Sequence, residues 1–185
     1  MSKNDLIITE YSSVAKSIHW LVAGFILVEY LIGSTLDMSG LKQLHIQIGF
    51  IIFLLVLFRM VWRIIHKYPA QSPQLTKLNQ KIATAGHHLM YLIMFILPLT
   101  GICLVVSKGN PFLIFGISVG PLMNPLPHEE RHFIKQIHDL LANGLVFMAL
   151  LHALAAISHQ FLNNVPILSR MLPRCIAKFI ENKHD

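Results

Sequence analysis

Four long runs of apolar residues, interrupted only by isolated polar positions, divide this chain of 185 residues. They extend from about Lys16 to Leu36, Leu41 to Ile65, Thr84 to Ser107 and His132 to Leu162. Each reaches the roughly 20 residues that a helix needs to cross the hydrocarbon core of a bilayer. The pattern predicts an all-α membrane protein, a four-helix transmembrane bundle formed as a single domain over residues 1–185 with a tail at 163–185. The fourth run is longer than a bilayer requires, so its helix is expected to tilt or project into water. Pro98 lies inside the third and is expected to kink it, a defect that neighbouring helices absorb. Between Lys108 and Arg131 runs a long, mostly apolar connection that opens Gly109-Asn110-Pro111 and is expected to lie back over the bundle's outer face. Loops of this length are often functional.

Composition agrees with lipid as the solvent: 54% of residues are hydrophobic and only 13% charged, against about a quarter charged in soluble domains. The net charge of +6 sits at helix ends rather than on a polar face, which argues against a nucleic-acid partner. Its distribution sets orientation instead. Ten Lys and Arg flank one side, among them Lys16, Arg63, Lys77, Lys81 and Arg170, and four flank the other, Lys42, Lys108, Arg131 and Lys135. The positive-inside rule therefore predicts both termini in the cytoplasm. Cys103 and Cys175 are the only cysteines, and their placement predicts no disulfide framework. The polar N-terminus does not read as a cleavable signal, because the first apolar run is long enough to span and lacks a small-residue cleavage site.

Eleven histidines change the picture most. Ionisable residues inside spans are costly and usually face the bundle interior with a role. His19 lies near the inner end of the first span and His45 near the outer end of the second. His138 lies near the outer end of the fourth. His152 follows it by 14 residues, close to four turns or ~21 Å along the same helix face. Two facing pairs result, His45 with His138 at an outer level and His19 with His152 at an inner one. Paired neutral imidazoles at two depths suit two six-coordinate haem irons. No C-x-x-C-H occurs, so the haems would be held non-covalently. Gly49, one turn beyond His45, and Ala142, one turn beyond His138, leave room for a flat macrocycle. Arg59 and Arg63 are candidates for binding its propionates. Plainer readings stand beside these: small-residue helix contacts for Gly49 and Ala142, and snorkelling arginines for Arg59 and Arg63.

At these residues the chain resembles the bacterial cytochrome b561 family, di-haem proteins of the inner membrane. The resemblance covers nearly the whole chain: Ser17-Ile18-His19-Trp20, His45 with Gly49, Gly86-His87, Leu97-Pro98 with Gly101, and Lys108-Gly109-Asn110-Pro111. It continues through His138 with Leu141-Ala142-Asn143, His152-Ala153, His159 and a closing Leu168-x-Arg170-Met171. The members most similar to it resemble superoxide:quinone oxidoreductases. The resemblance implies that His45 and His138 ligate an outer haem b and His19 and His152 an inner one. It also implies that Ser17, His87 and His159 lie near ubiquinone at the cytoplasmic side, and that Lys108 belongs to a basic surface that draws superoxide. The chain departs from the family pattern at Thr84, where a second histidine precedes His87 by one turn, at an additional His88, and at Glu29 inside span one. Glu29 is expected to reach the outer headgroups.

The expected activity is electron relay across a bacterial inner membrane, from superoxide outside to ubiquinone inside. His159, two turns beyond His152 on one face, is placed to hydrogen-bond or protonate a quinone carbonyl, and either His87 or His88 points inward. Glu129 and Glu130 share the outer face with Lys108, so a net positive funnel does not follow from sequence. Two rivals remain. One keeps the haems but takes electrons from a redox partner protein such as a dehydrogenase or hydrogenase. The other is a transporter whose histidines relay protons or bind a divalent metal; it would be colourless.

Overall fold

The computed structural model describes residues 11–36, 40–66, 68–173 and 175–177. Among them, four helices are long and apolar enough to cross a membrane: α1 (Ser13–Ser34), α2 (Lys42–Ile65), α3 (Lys77–Val106) and α4 (His128–Phe161). In the most apolar window of any of them, at most 17% of the residues are buried within the protein. Such exposed apolar flanks would be untenable in water and are what a lipid solvent requires.

Three helices begin earlier than the apolar pattern indicates, and for local reasons. The α3 N-terminus is fixed at Lys77 rather than Thr84 because the Thr76 hydroxyl accepts a hydrogen bond from the Asn79 amide at 3.2 Å, satisfying one of the orphan donors of the first turn. α4 starts at His128 rather than His132. Pro127 precedes it, and Glu129 and Glu130 sit in its first turn, where carboxylates complement the helix dipole. In α1 the cap is Ser12, whose hydroxyl accepts from the Ala15 amide at 3.2 Å. The first turns of α3 and α4 are therefore polar extensions of the apolar spans. Thr84 belongs to this extension: its hydroxyl accepts from Gln71 at 2.6 Å and donates to the Gln80 carbonyl at 2.9 Å, tying the α2–α3 connection to the helix.

α1 packs on α2 and α3 on α4, with α2 joining the two pairs. The buried centre is the α1–α2 seam, Ile18 and Val22 against Ile52 and Val56. α1 and α4 make lighter contact than these pairs, and Tyr30 donates a hydrogen bond to Asn143 across them at 2.9 Å.

The Lys108–Pro127 connection contains a β-hairpin that the apolar pattern does not signal. β1 (Phe112–Ile114) pairs antiparallel with β2 (Ile117–Val119), Ile114 opposite Ile117. The two turn residues, Phe115 and Gly116, have φ of 49° and 83°, the left-handed geometry that matches strand twist in a two-residue loop. The hairpin lies on α2 as expected for this connection. Gln43 donates to the Leu113 carbonyl at 2.7 Å, and the Phe50 and Phe115 rings meet at 6.1 Å. Gly109 (φ 64°) admits no side chain, since a Cβ there would lie 2.7 Å from Pro125. At the opposite end the chain after α4 folds back on the bundle. Trp20 donates to the Met171 carbonyl at 3.0 Å and Arg170 to that of Ala70 at 2.8 Å.

Candidate functional site

The fold brings the four span histidines together in the expected pairs. His45 on α2 faces His138 on α4 with ring centroids 6.2 Å apart, and His19 on α1 faces His152 on α4 at 6.4 Å. Ring planes within the pairs stand at 79° and 75°, and both pairs share α4, so the 14-residue spacing sets their separation. With imidazole-nitrogen-to-metal bonds of about 2.0–2.1 Å, two imidazoles on opposite sides of one metal ion hold their centroids roughly 6 Å apart. Both pairs meet that requirement. The residues present fit two irons, each between two imidazoles.

In the His45–His138 pair each ring lies edge-on against a glycine of a neighbouring helix. A Cβ at Gly33 of α1 would come within 3.1 Å of His45 Cε1, and one at Gly101 of α3 within 3.3 Å of His138 Cε1. These close approaches explain two glycines at positions where a helix would otherwise gain from alanine. They also bring each ring's Nδ1 to a polar partner. The Thr100 hydroxyl is 2.8 Å from His138 Nδ1 and donates its one hydrogen to the Leu97 carbonyl at 2.7 Å. Its oxygen is then left to accept from Nδ1–H, which directs the Nε2 lone pair of His138 toward the partner ring.

For His45 the partner is Glu29. Its carboxylate does not reach the headgroups as expected; its side chain is only 13% exposed and Oε1 lies 2.9 Å from His45 Nδ1. The two atoms are close but not aligned as a hydrogen bond, and neither His45 Nδ1 nor Glu29 Oε2 has another partner. Gly49 faces this carboxylate: a Cβ there would sit 3.3 Å from Oε1. The room that Gly49 leaves is thus shared with Glu29.

The His19–His152 pair is set differently. The Arg59 guanidinium lies 3.2 Å from His19 Nδ1 and donates to the Tyr91 hydroxyl at 3.0 Å. An imidazole that binds metal through Nε2 carries its hydrogen on Nδ1, so Arg59 must release Nδ1 when His19 acts as a ligand. It is then available to a carboxylate. Arg63 stacks over Tyr68 at 4.6 Å and over Tyr91 at 5.5 Å. His87, on the same α3 face as Tyr91 and one turn away, meets the His152 ring at 5.2 Å, whereas His88 is exposed. Of the adjacent pair, His87 is therefore the one inside the bundle.

Ser17 and His159 are not drawn into this cluster. Ser17 is exposed, and the His159 ring pairs with Asn163 at 3.0 Å, beyond the end of the apolar span. Lys108, just past the end of α3, has gained company that sequence spacing did not reveal. The Lys42 ammonium against it, partial burial and nearby Arg131 hold its pKa down at about 8. Arg131 Nε is shut off from solvent with no hydrogen-bond partner. Glu129 and Glu130 form no ion pair with these cations among the described residues. Tyr91, Thr100, Gly33, Lys42 and Arg131 are the contributors that sequence reasoning missed. Of these, only Lys42 and Arg131 left a trace there, as basic residues placed on the same side as Lys108.

The family model for prokaryotic cytochrome b561 matches residues 10–174. Among curated relatives, the chain is 28% identical over 180 residues to the probable superoxide oxidase CybB of Yersinia pestis, covering 89% of this chain and 97% of that protein. It is 26% identical to cytochrome b561 homolog 2 of Escherichia coli K12, over 91% of this chain and 94% of that one. It is 25% identical to cytochrome b562 of Cereibacter sphaeroides, over 88% and 94%. With a match that spans most of the chain and four apolar helices to carry it, the chain belongs to the cytochrome b561 family, multi-pass membrane proteins that use b-type haem to transfer electrons across the membrane.

Proposed function

We propose that this chain is a single-domain, di-haem superoxide:ubiquinone oxidoreductase of a bacterial inner membrane, with both termini in the cytoplasm. Haem b, when bound, supplies one-electron redox chemistry at two depths. His45 and His138 hold the outer haem, and His19 and His152 the inner one. Thr100 fixes the tautomer of His138, and Arg59 and Arg63 are the cations available to propionates at the inner end.

The observation that carries the superoxide reading is the crowding of Lys42, Lys108 and Arg131 at the same end as the His45–His138 pair. Three positive charges gathered without a carboxylate partner among the described residues are costly unless an anion visits them. A fixed cationic patch raises the encounter rate of a small anion. The relative from Yersinia pestis, named a probable superoxide oxidase, supports the same reading. Two superoxide anions are oxidised to dioxygen at the outer end, and one ubiquinone takes up the two electrons and two protons at the inner end. His87, packed beside His152, is the group there best placed to hydrogen-bond a quinone carbonyl. Ser17 and His159, nearer the aqueous boundary, line the path for protons and quinone.

Purified protein in detergent tests this. Superoxide from xanthine and xanthine oxidase is expected to reduce the bound haem and, through it, a soluble ubiquinone analogue, with superoxide dismutase abolishing both. Haem that stays oxidised under superoxide but is reduced by a dehydrogenase partner would contradict it in favour of a partner-fed cytochrome.

A further inference from the structure

Glu29 is an acid inside the first span that the superoxide reading does not use. We propose that it is a positioning residue for the outer haem. By accepting the Nδ1 hydrogen of His45, and with Arg59 as its opposite at the inner pair, it sets the outer haem's reduction potential below the inner one's. This rests on the reading that His45 and His138 hold that haem.

Three observations converge on the contact. Gly33 and Glu29 lie one turn apart on the α1 face that meets α2. The glycine lets the His45 ring edge approach α1 so closely that a Cβ would be 3.1 Å from Cε1. The same approach delivers Nδ1 to Glu29 Oε1 at 2.9 Å. Both His45 Nδ1 and Glu29 Oε2 are sealed from solvent with no hydrogen-bond partner, and the Glu29 carboxylate is the acceptor at hand for the buried Nδ1. A histidine bound through Nε2 keeps its hydrogen on Nδ1, where a small rotation aligns it with the carboxylate.

The consequence is electronic. A carboxylate that accepts from the distal nitrogen of a ligand histidine raises its basicity, and a more basic ligand favours ferric over ferrous iron. The negative charge adds to this in a low-dielectric interior, where electrostatic effects are strengthened. On the other side of the outer pair, Thr100 contributes only a neutral hydroxyl. At the inner pair the nearest charge has the other sign: Arg59, 3.2 Å from His19 Nδ1, remains a neighbouring cation after it releases that nitrogen, and a cation beside the haem favours the reduced state. Charge of one sign at the outer pair and the other sign at the inner pair makes outer-to-inner electron flow downhill.

Spectroelectrochemical titration of the haem-loaded protein tests the proposal, with His138→Leu used to identify which component is the outer haem. In the wild type the outer component is expected to titrate below the inner one. In Glu29→Gln it is expected to rise by at least tenfold in its one-electron equilibrium, about 59 mV, with the inner component unmoved; Glu29→Asp is expected to return it toward the wild type. A Glu29→Gln protein with both haems and an unmoved outer midpoint overturns the proposal, as does a wild-type outer component at or above the inner one. If Glu29→Gln fails to retain the outer haem, the wild-type order decides by the same criterion. A His138→Leu protein that keeps both haems would instead overturn the ligand reading, and the proposal with it.

Discussion

At the outer pair, both rings sit against glycines and turn Nδ1 toward an acceptor, Thr100 for His138 and Glu29 for His45. At the inner pair, a guanidinium occupies Nδ1 of His19 and a third histidine, His87, packs on His152. The first arrangement is preorganised: the side chains that must support metal-bound imidazoles are already in contact with them. The second has to rearrange, because Arg59 must leave His19 for that ring to ligate. One fold thus builds the same pair of facing histidines twice, once as a fixed arrangement and once as one that would exchange partners on binding a metal. In the proposed function, exchange falls at the end where a diffusing quinone would enter and leave.

The sharpest way to break the comparison is to remove one ligand at each end. His138→Leu is expected to lower haem content from two to one per chain by losing the outer haem, and His152→Leu to lose the inner one; a haem assay on each purified variant checks both. Next in size is a steric test of the outer end's preorganisation. Gly101→Val pushes a side chain into the edge of His138 and is expected to remove more than half of the outer haem while sparing the inner. Gly144→Ala, at a glycine with open space around it, is expected to keep both.

A smaller effect separates the ends by charge. Lys108→Met is expected to slow superoxide-driven haem reduction about tenfold at low ionic strength, with the difference shrinking as salt is raised. The sign of its pH dependence follows from the lowered pKa. Lys108 is charged below about 8 and neutral above it, so the wild-type rate is expected to fall as pH rises through about 8, and the variant to lack that limb. Smallest is Thr100→Val, which removes a neutral acceptor; it is expected to keep both haems and move only the outer midpoint, by less than Glu29→Gln does.

The bundle and its facing histidine pairs were legible because they rest on periodicities that lipid enforces. Apolar runs of spanning length must be helices, and a 14-residue spacing must put His138 and His152 on one face. What touches those histidines from other helices was not legible. Thr100, Gly33 and Arg59 reach them through helix rotation and close approach, which depend on packing between elements. Glu29 shows the limit well. Its depth in α1 admits either a headgroup or an interior contact, and only the Gly33–His45 approach decides between them. Helix ends were misjudged for a related reason: the Thr76 cap and the first-turn Glu129 and Glu130 after Pro127 act outside the apolar signal that set the expected bounds. The β-hairpin escaped because its strands are three residues each, too short for alternation to register.

The most direct measurement is the haem content of the purified chain together with its reduced-minus-oxidised spectrum. Two haem b per chain with a sharp α-band, cut to one by either His138→Leu or His152→Leu, is the expected result. A colourless protein, or a single haem that survives both substitutions, would contradict it.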